Sequence, residues 1–235
     1  MEKCLVFDVW GNYGHFRKFY TTSSPLTHAF PPKTAIWGMV GAIIGLDKDD
    51  YLNHFQDPQI ACGVRIVASV KKTRIALNLI DTKSNKRYFA DNTQHTQVNM
   101  ELLKRPSFRI YFYHPDETIY NKLGNNLVQH KSYYTICLGL SEYLAQFKFC
   151  GEFQVKQFEG ETDTIIKSII PMDKIDGYRI EDGFEYFQET VPAGMNPKRQ
   201  PTRYQKVLYE RNGKAITCFP RKYYKVESGE NVIFL

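Results

Sequence analysis

Residues 12–24 combine aromatic, basic and hydroxyl side chains in a segment that has neither a helical nor a strand pattern. Aromatic rings stack on unpaired bases, while basic and hydroxyl groups bind phosphate and sugar oxygens. The segment therefore favours binding of single-stranded RNA. Phe16 and Phe19 are explained equally well as anchors to the core. The candidate RNA-binding residues of the segment are Tyr13, His15, Arg17, Lys18, Tyr20, Thr21, Thr22 and Ser23.

An apolar run predicts a buried helix over residues 35–46, with Thr34 as its N-cap. The free N–H groups at the start of this helix, together with Lys33, suit a phosphate. One face of the helix carries three glycines, which cost about 2 to 3 kcal/mol relative to alanine. Either the packed sheet or a ligand backbone must therefore approach this face closely. The candidate RNA-binding residues here are Lys33, Thr34, Gly38 and Gly41.

His130 and Lys131 are adjacent in the sequence. Metal-independent cutting of RNA needs a general base for the 2′-hydroxyl and an acid for the leaving oxygen, and such side chains can supply both. The pair also lies at the end of a predicted helix, where cations stabilise the helix dipole. The histidines lack metal-ligand spacing, the five cysteines form no CxxC pair, and no phosphate-binding glycine loop occurs. We expect neither a metal nor a cofactor.

The net charge of +6 on 235 residues is mild, but its distribution is uneven. Residues 9–46 contain no Asp or Glu, residues 71–109 contain nine basic and three acidic residues, and residues 194–225 contain nine and one. These segments can form one electropositive groove, or they can be separate solvated faces. Neither a membrane-spanning run nor the apolar core of a secretion signal is present. We expect a cytoplasmic protein without a membrane partner.

The order of the predicted elements indicates an α+β fold. It runs strand, helix, strand, strand, helix, strand, as in a ferredoxin-like βαββαβ domain with an antiparallel sheet and two helices on one face. A helix over residues 141–147 and a strand over residues 149–158 complete a first domain, residues 1–158. The six main elements are strands over residues 4–10, 64–79, 108–113 and 133–138 and helices over residues 35–46 and 117–129.

Two regions extend beyond these elements. Residues 81–104 are polar and charged and cannot bury much apolar surface, so we predict a projecting arm. Residues 159–235 contain short β-like runs broken by Pro and Gly, which predict a small, mostly β appendage. Within this appendage, residues 194–203 predict a mobile basic loop.

The segment of residues 11–46 resembles the N-terminal signature of the fifth CRISPR-associated (Cas) protein family of the RAMP superfamily, in its type I-B branch. The family pattern is Phe-Arg, a Thr/Ser-Pro stretch, Pro-Pro-Lys/Arg-Thr and a glycine-spaced helix. It is matched by Phe16-Arg17, by Ser24-Pro25 and by residues 31–45. Residues 96–98, 101–106, 109–111 and 138–141 also resemble the family, and the similarity covers about the first 155 residues.

The resemblance implies a ferredoxin-like subunit of a CRISPR effector complex (Cascade) that caps the backbone filament and binds the 5′ handle of the crRNA. Residues 13–33 and the glycine-spaced helix would form the seat of the handle. Residues 81–104 would be a thumb that contacts the backbone subunit, while another surface contacts the large subunit and target DNA is an indirect partner. The candidate thumb and partner contacts are Lys86, Arg87, His95 and Gln97.

Two alternative functions remain open at this stage. One branch of the family cuts precursor crRNA with a tyrosine and a Lys-His pair, and this chain has the reversed pair His130-Lys131. The other alternative is a protein scaffold that touches RNA only incidentally. We expect a non-catalytic RNA-binding subunit, because the chain lacks the catalytic pair in its family order.

Overall fold

The computed structural model describes residues 1–21, 24–80, 95–160 and 162–235, which form an α+β fold with mostly strands and two α-helices. The predicted α+β class is confirmed. The helices are α1 (Lys33–Ile44) and α2 (Glu117–Val128), with 3-10 helices at Tyr51–Phe55 and Met172–Lys174. The strands are β1 (Lys3–Gly11), β2 (Tyr13–Gly14), β3 (Ala61–Ile66), β4 (Lys72–Ile80), β5 (His95–Lys104), β6 (Ser107–Tyr113), β7 (Ala145–Glu159), β8 (Thr164–Ile166), β9 (Ile170–Pro171), β10 (Ile175–Tyr178), β11 (Tyr186–Met195), β12 (Pro201–Glu210), β13 (Ile216–Pro220), β14 (Lys222–Val226) and β15 (Asn231–Val232).

A six-stranded sheet in the order β15-β14-β7-β1-β6-β3 forms the centre of the molecule, and all neighbouring strands are antiparallel. The interior strand β1 is buried on both faces. Leu5, Phe7 and Val9 pack in the main core, whereas Cys4 and Val6 pack in a second cluster on the other face. β1 therefore links the two layers. Each of its buried apolar side chains stabilises the fold by about 1.5 to 3 kcal/mol.

The two helices occupy the connections of this sheet: α1 follows β1, and α2 joins β6 to β7. Helix α2 lies where the periodicity predicted it, with Ile119, Leu123 and Leu127 buried. Its N-cap is Asp116, whose carboxylate accepts a hydrogen bond of 2.8 Å from the backbone N–H of Thr118. The cap satisfies a donor that the first helical turn leaves free.

The expected N-cap of α1 at Thr34 is wrong. The helix begins at Lys33 with Pro32 as its cap, no side chain accepts a hydrogen bond there, and Thr34 lies in the first turn. Pro32 has φ −59° and ψ 161°, an extended conformation that the fixed φ of proline allows and that is typical of a residue flanking a helix start. The helix ends at Ile44 rather than at residue 46, and its C-cap Gly45 adopts the left-handed conformation with φ 75°.

The strand expected over residues 64–79 is two strands in different sheets. β3 ends at Ile66 and pairs with β6 in the central sheet, whereas β4 pairs with β5 in a separate sheet. The chain bends between them where the N–H groups of Val67 and Ala68 both donate to the carbonyl of Ser107. Apolar residues alternate on both sides of the bend, so the sequence pattern predicts one continuous strand.

The strand expected over residues 133–138 and the helix expected over residues 141–147 are also wrong. The N–H groups of Tyr133 and Tyr134 donate to the carbonyls of Ile43 and Ala42, at 3.2 and 2.9 Å. These bonds satisfy carbonyls in the last turn of α1 that have no partner within the helix. The strand that pairs with β1 is therefore β7, which begins at Ala145.

A three-stranded sheet in the order β2-β5-β4 forms the base of the predicted arm. β4 and β5 pair continuously from Lys72 opposite Leu103 to Ile80 opposite His95. Residues 81–94 lie outside the described residues.

The C-terminal region is mostly β-structure, as expected. It contains the sheets β10-β13-β8 and β11-β12-β9, while β14 and β15 extend the central sheet. Val191, Val207 and Leu235 pack in the main core. Residues 194–203, expected to be a loop, form the end of the β11–β12 hairpin, with only residues 196–200 between the strands. The division of the chain into residues 1–158 and 159–235 stays a prediction.

Neither α-helix in the described ranges has the length and apolarity that crossing a lipid bilayer requires.

Candidate nucleic-acid interface

An open cleft of about 480 Å³ runs along the glycine face of α1. Helix α1 forms the floor of the cleft. The segment after α2 forms one side, and the 3-10 helix Tyr51–Phe55 forms the other side together with the turn of the β11–β12 hairpin. It therefore brings together parts of the chain that are far apart in sequence. The cleft is lined by Thr34, Ala35, Gly38, Met39, Gly41, Ala42, Leu46, Asp47, Lys48, Tyr51, Tyr134, Thr135, Cys137, Gly139 and Arg199.

Tyrosine side chains lie against the glycine face of α1. A methyl group at Gly41 would lie 3.4 Å from Cβ of Tyr51, and one at Gly38 would lie 3.9 Å from the Tyr51 hydroxyl, both ordinary van der Waals distances. At Gly45 it would lie 2.6 Å from Cγ of Tyr133, too close for any side chain. The close approach expected at this face therefore occurs at Gly45, and the space above Gly38 and Gly41 is the cleft.

Arg199 connects the hairpin to the cleft. Its guanidinium Nη2 donates to the carbonyl of Lys48 at 2.9 Å, and its Cζ lies over the ring of Tyr51, 5.7 Å from the centroid. Burial raises the pKa of Tyr51, although the nearby Arg199 charge opposes the shift. The Tyr51 hydroxyl is therefore protonated and a hydrogen-bond donor at neutral pH. Arg199 and the exposed Lys48 supply the positive charge of the lining, opposite the single carboxylate of Asp47.

Four of the loop residues predicted to bind RNA reach the surface. Tyr13 is 36% exposed and Tyr20 is 58% exposed. Arg17 is exposed and its Nη2 donates to the carbonyl of Thr21 at 3.1 Å. The Thr21 hydroxyl donates in turn to the carbonyl of Lys18, so it closes the turn of the loop. Thr22 and Ser23 lie outside the described residues.

Three other predicted residues are held inside the protein. His15 is 1% exposed and its Nδ1 lies 2.8 Å from the carbonyl of Glu101, while burial lowers its pKa. Lys33 is 7% exposed and its Nζ donates to the carbonyl of Ile60 at 3.0 Å, and burial lowers its pKa as well. Lys18 donates to the carboxylate of Glu189 at 3.3 Å. In this conformation these groups position the loop and the helix rather than offer charge at the surface.

Glu189 is the centre of a buried polar network that the sequence did not reveal. Oε1 of its carboxylate accepts from Lys18 and from the hydroxyl of Tyr209, at 3.3 and 3.1 Å, and Oε2 lies 3.0 Å from Nδ1 of His28. Burial by itself raises the pKa of Glu189, but the hydrogen bond with His28 and the charges of Lys18, His28 and Lys72 outweigh it and lower the pKa to about 2. The carboxylate therefore stays charged and fixes both ends of residues 18–28 to strand β11.

The described part of the arm exposes His95 and Gln97 on β5, and Thr96 between them is exposed as well. Lys86 and Arg87 lie outside the described residues.

His130 and Lys131 follow α2 and are exposed, and neither lines the cleft. The His130 ring stacks on Phe147 with centroids 4.6 Å apart and planes 26° apart. His130 adopts a left-handed backbone conformation, φ 52°, and the N–H of Lys131 donates to the carbonyl of Asn126 at 2.8 Å. This geometry is typical of a helix C-terminus.

Within the described ranges, no group of three His, Cys, Asp or Glu side chains is arranged to hold a metal ion.

Solved structures show the same overall fold. One is described as "Crystal structure of a CRISPR protein from Archaeoglobus fulgidus", with 16% identity, a TM-score of 0.56 and 97% of each chain covered. Another is described as "CRISPR RNA-guided surveillance complex", with 10% identity, a TM-score of 0.57 and 91% of each chain covered. At these identities the likeness concerns the fold. A comparison with curated protein sequences gives no match.

A match to a family model shows which protein family the chain belongs to. The model described as "CRISPR-associated protein (Cas_Cas5)" matches residues 4–212, which include the cleft, the loop and the β11–β12 hairpin. The chain therefore belongs to the CRISPR-associated Cas5 family, as its N-terminal residues predicted.

Proposed function

We propose that this chain is the RNA-binding subunit of a type I CRISPR effector complex and holds the 5′ handle of the crRNA in the cleft along α1. The observation that carries the proposal is the cleft itself. It is open, it passes over two glycines of α1, and two cations and two tyrosines line it. Cations bind phosphates and tyrosines stack on bases, the combination that single-stranded RNA requires.

The distribution of charge supports the same site. The floor of the cleft and the loop before it belong to residues 9–46, which contain no Asp or Glu. The hairpin that supplies Arg199 has no acidic residue between Glu189 and Glu210. An RNA backbone that follows these segments meets few repulsive charges. The similar chain from a structure described as an RNA-guided surveillance complex agrees with this role.

We further propose that the central sheet and the two helices form a ferredoxin-like unit. Its four strands are ordered β7-β1-β6-β3, and α1 and α2 lie in the connections β1 to β3 and β6 to β7. The β4–β5 arm projects from this unit, and in our proposal it contacts the backbone subunit through residues such as His95 and Gln97. Another surface contacts the large subunit. On this proposal, the chain caps one end of the filament.

The proposed role is binding without cleavage. A catalytic pair must reach the scissile phosphate, yet His130 is stacked on Phe147 and neither His130 nor Lys131 lines the cleft. We expect the purified protein to leave repeat RNA intact in the presence of EDTA over hours at neutral pH. Site-specific cutting that His130→Ala abolishes would instead make the chain an endoribonuclease.

The cleft is tested by fluorescence anisotropy with labelled handle RNA. Arg199→Gln and Lys48→Gln each remove a charge and preserve most of the side-chain length. We expect each variant to weaken binding and to reduce the slope of log affinity against log salt by about one. The matched control is Lys222→Gln, because Lys222 is exposed, pairs with Glu159 and does not line the cleft. Equal losses of RNA affinity in all three variants would show that only the net charge of the protein matters. This result would refute the cleft as the binding site.

A further inference from the structure

Three exposed aromatic rings form a contiguous surface at the point where the N-terminal loop meets the β11–β12 hairpin. The ring of Phe19 lies 4.5 Å from that of Tyr204 and 5.1 Å from that of Tyr20, between centroids. Phe19 is 54% exposed, Tyr20 is 58% exposed and Tyr204 is 40% exposed. We call these three residues the aromatic platform. Rings that served only to attach the loop would be buried by their contact, so their exposure leaves faces open to a ligand.

Cations border the aromatic platform on the hairpin. Arg203 and Lys206 flank Tyr204 on β12 and are exposed, and with it they line a shallow pocket of about 190 Å³. In the described part of the chain neither cation lies within ion-pair distance of a carboxylate. The pocket also contains Asp173, whose Oδ1 accepts from the amide of Gln205 at 3.1 Å. The surface around the rings thus has a net positive charge.

The charge around these rings favours a nucleic acid over a protein. Lysine is depleted from protein interfaces, whereas here Lys206 lines the same pocket as Tyr204. Exposed aromatic rings beside cations are the arrangement on which single-stranded nucleic acids stack. The platform is also near the cleft. Tyr204 follows Arg199, which lies in the hairpin turn, by five residues, at most roughly 18 Å of extended chain.

We propose that the aromatic platform is a second RNA site on this chain, where a base of the single-stranded crRNA stacks on Tyr204 and Tyr20 after the strand leaves the α1 cleft. The inference rests on the proposed function and extends it to the C-terminal hairpin. Stacking involves the face of a base and not the hydrogen-bonding groups on its edge, so the site accepts any base. Arg203 and Lys206 hold the adjoining phosphates.

The test pairs protein variants with RNAs that carry one abasic nucleotide, moved along the handle position by position. With wild-type protein, we expect loss of affinity at the position that stacks on the platform. Tyr204→Ala should weaken binding of intact RNA roughly five- to 150-fold, the range for one stacked base, and should abolish the sensitivity to that abasic position. Tyr204→Phe should keep both, because it retains the ring.

The matched control is Phe187→Ala, which removes a ring that is 44% exposed on the same hairpin but stacks on Tyr209 instead. Thermal unfolding by circular dichroism should show that the tested variants remain folded. If Tyr204→Ala changes the loss of affinity at no abasic position while Arg199→Gln still weakens binding, the platform is refuted as an RNA site, and the cleft remains supported as one. If wild-type protein does not bind the RNA, the proposed function itself fails. If Tyr204→Ala instead releases a protein subunit from the assembled complex, the platform is a protein contact and our inference is wrong.

Discussion

Replacing Glu189 by glutamine tests how the RNA-binding loop is held. The variant keeps the shape of the side chain but removes the charge that faces Lys18 and His28. An amide also places an N–H₂ group beside donors, so part of the network loses its acceptor. We expect a less stable protein whose loop is released from β11.

The size of the effect follows from the pKa. The ordinary value for glutamate is 4.5, and the network lowers the pKa of Glu189 to about 2. At 1.36 kcal/mol per pKa unit, the charged form is stabilised by about 3 kcal/mol in the folded state. This agrees with the roughly 3 to 5 kcal/mol lost when one partner of a buried ion pair is removed. The unfolding free energy of Glu189→Gln should therefore fall by about 3 kcal/mol at pH 7.

The pH dependence has a definite sign. Because the pKa of Glu189 is lower in the folded state, the unfolded chain binds more protons in the window between about pH 4.5 and pH 2. The contribution of Glu189 to stability is complete above that window and is lost as the pH falls through it. The difference between wild type and variant should narrow as the pH falls below about 4.5.

Urea unfolding followed by circular dichroism measures these differences. The matched control is Glu152→Gln, since Glu152 pairs with Lys3 at 2.8 Å but is 44% exposed. An exposed pair contributes about 1 kcal/mol or less. If Glu189→Gln is no more destabilising than Glu152→Gln, the network does not hold the loop and our reasoning is incorrect.

Two glycine substitutions, with a third as a control, test the packing around the cleft by thermal unfolding. Gly45→Ala should destabilise clearly more than Gly183→Ala: both residues have φ 75°, but the new methyl would meet Tyr133 at 2.6 Å in the first case and nothing within 4 Å in the second. Equal losses would show that the contact with Tyr133 is unimportant. Gly38→Ala should stabilise α1 by up to about 1 kcal/mol, because its methyl lies 3.9 Å from the Tyr51 hydroxyl and alanine favours a helix. A large loss at Gly38 would mean that the cleft above it is closed.

The sequence predicted those elements whose pattern is local. β1 and β6 alternate or run apolar over their whole length, and α2 repeats its buried residues at helical spacing, so each lies where expected. Residues 133–138 have strand-forming side chains, but the N–H groups of Tyr133 and Tyr134 donate to carbonyls at the end of α1. These hydrogen bonds depend on α1, which lies about 90 residues earlier in the sequence. A local sequence pattern therefore cannot predict them.

The site was only partly predictable for the same reason. The N-terminal signature identified the family and the glycine face of α1. Composition could not show that His15 and Lys33 are buried, because a basic residue in an aromatic loop has the same sequence context inside or outside. Glu189 lies 161 residues from its partner His28. The acid-free stretch around Arg199 was the one available signal for the hairpin.

The most direct test of our central claim is to locate the 5′ end of the guide RNA on the protein. The crRNA carries 4-thiouridine near its 5′ end, the complex is assembled and irradiated, and cross-linked peptides are identified by mass spectrometry. We predict cross-links to peptides that contain Tyr51, Tyr134 or Arg199, and none from a 4-thiouridine at the 3′ end. Cross-links that avoid the cleft and fall on another surface or another subunit would contradict the account.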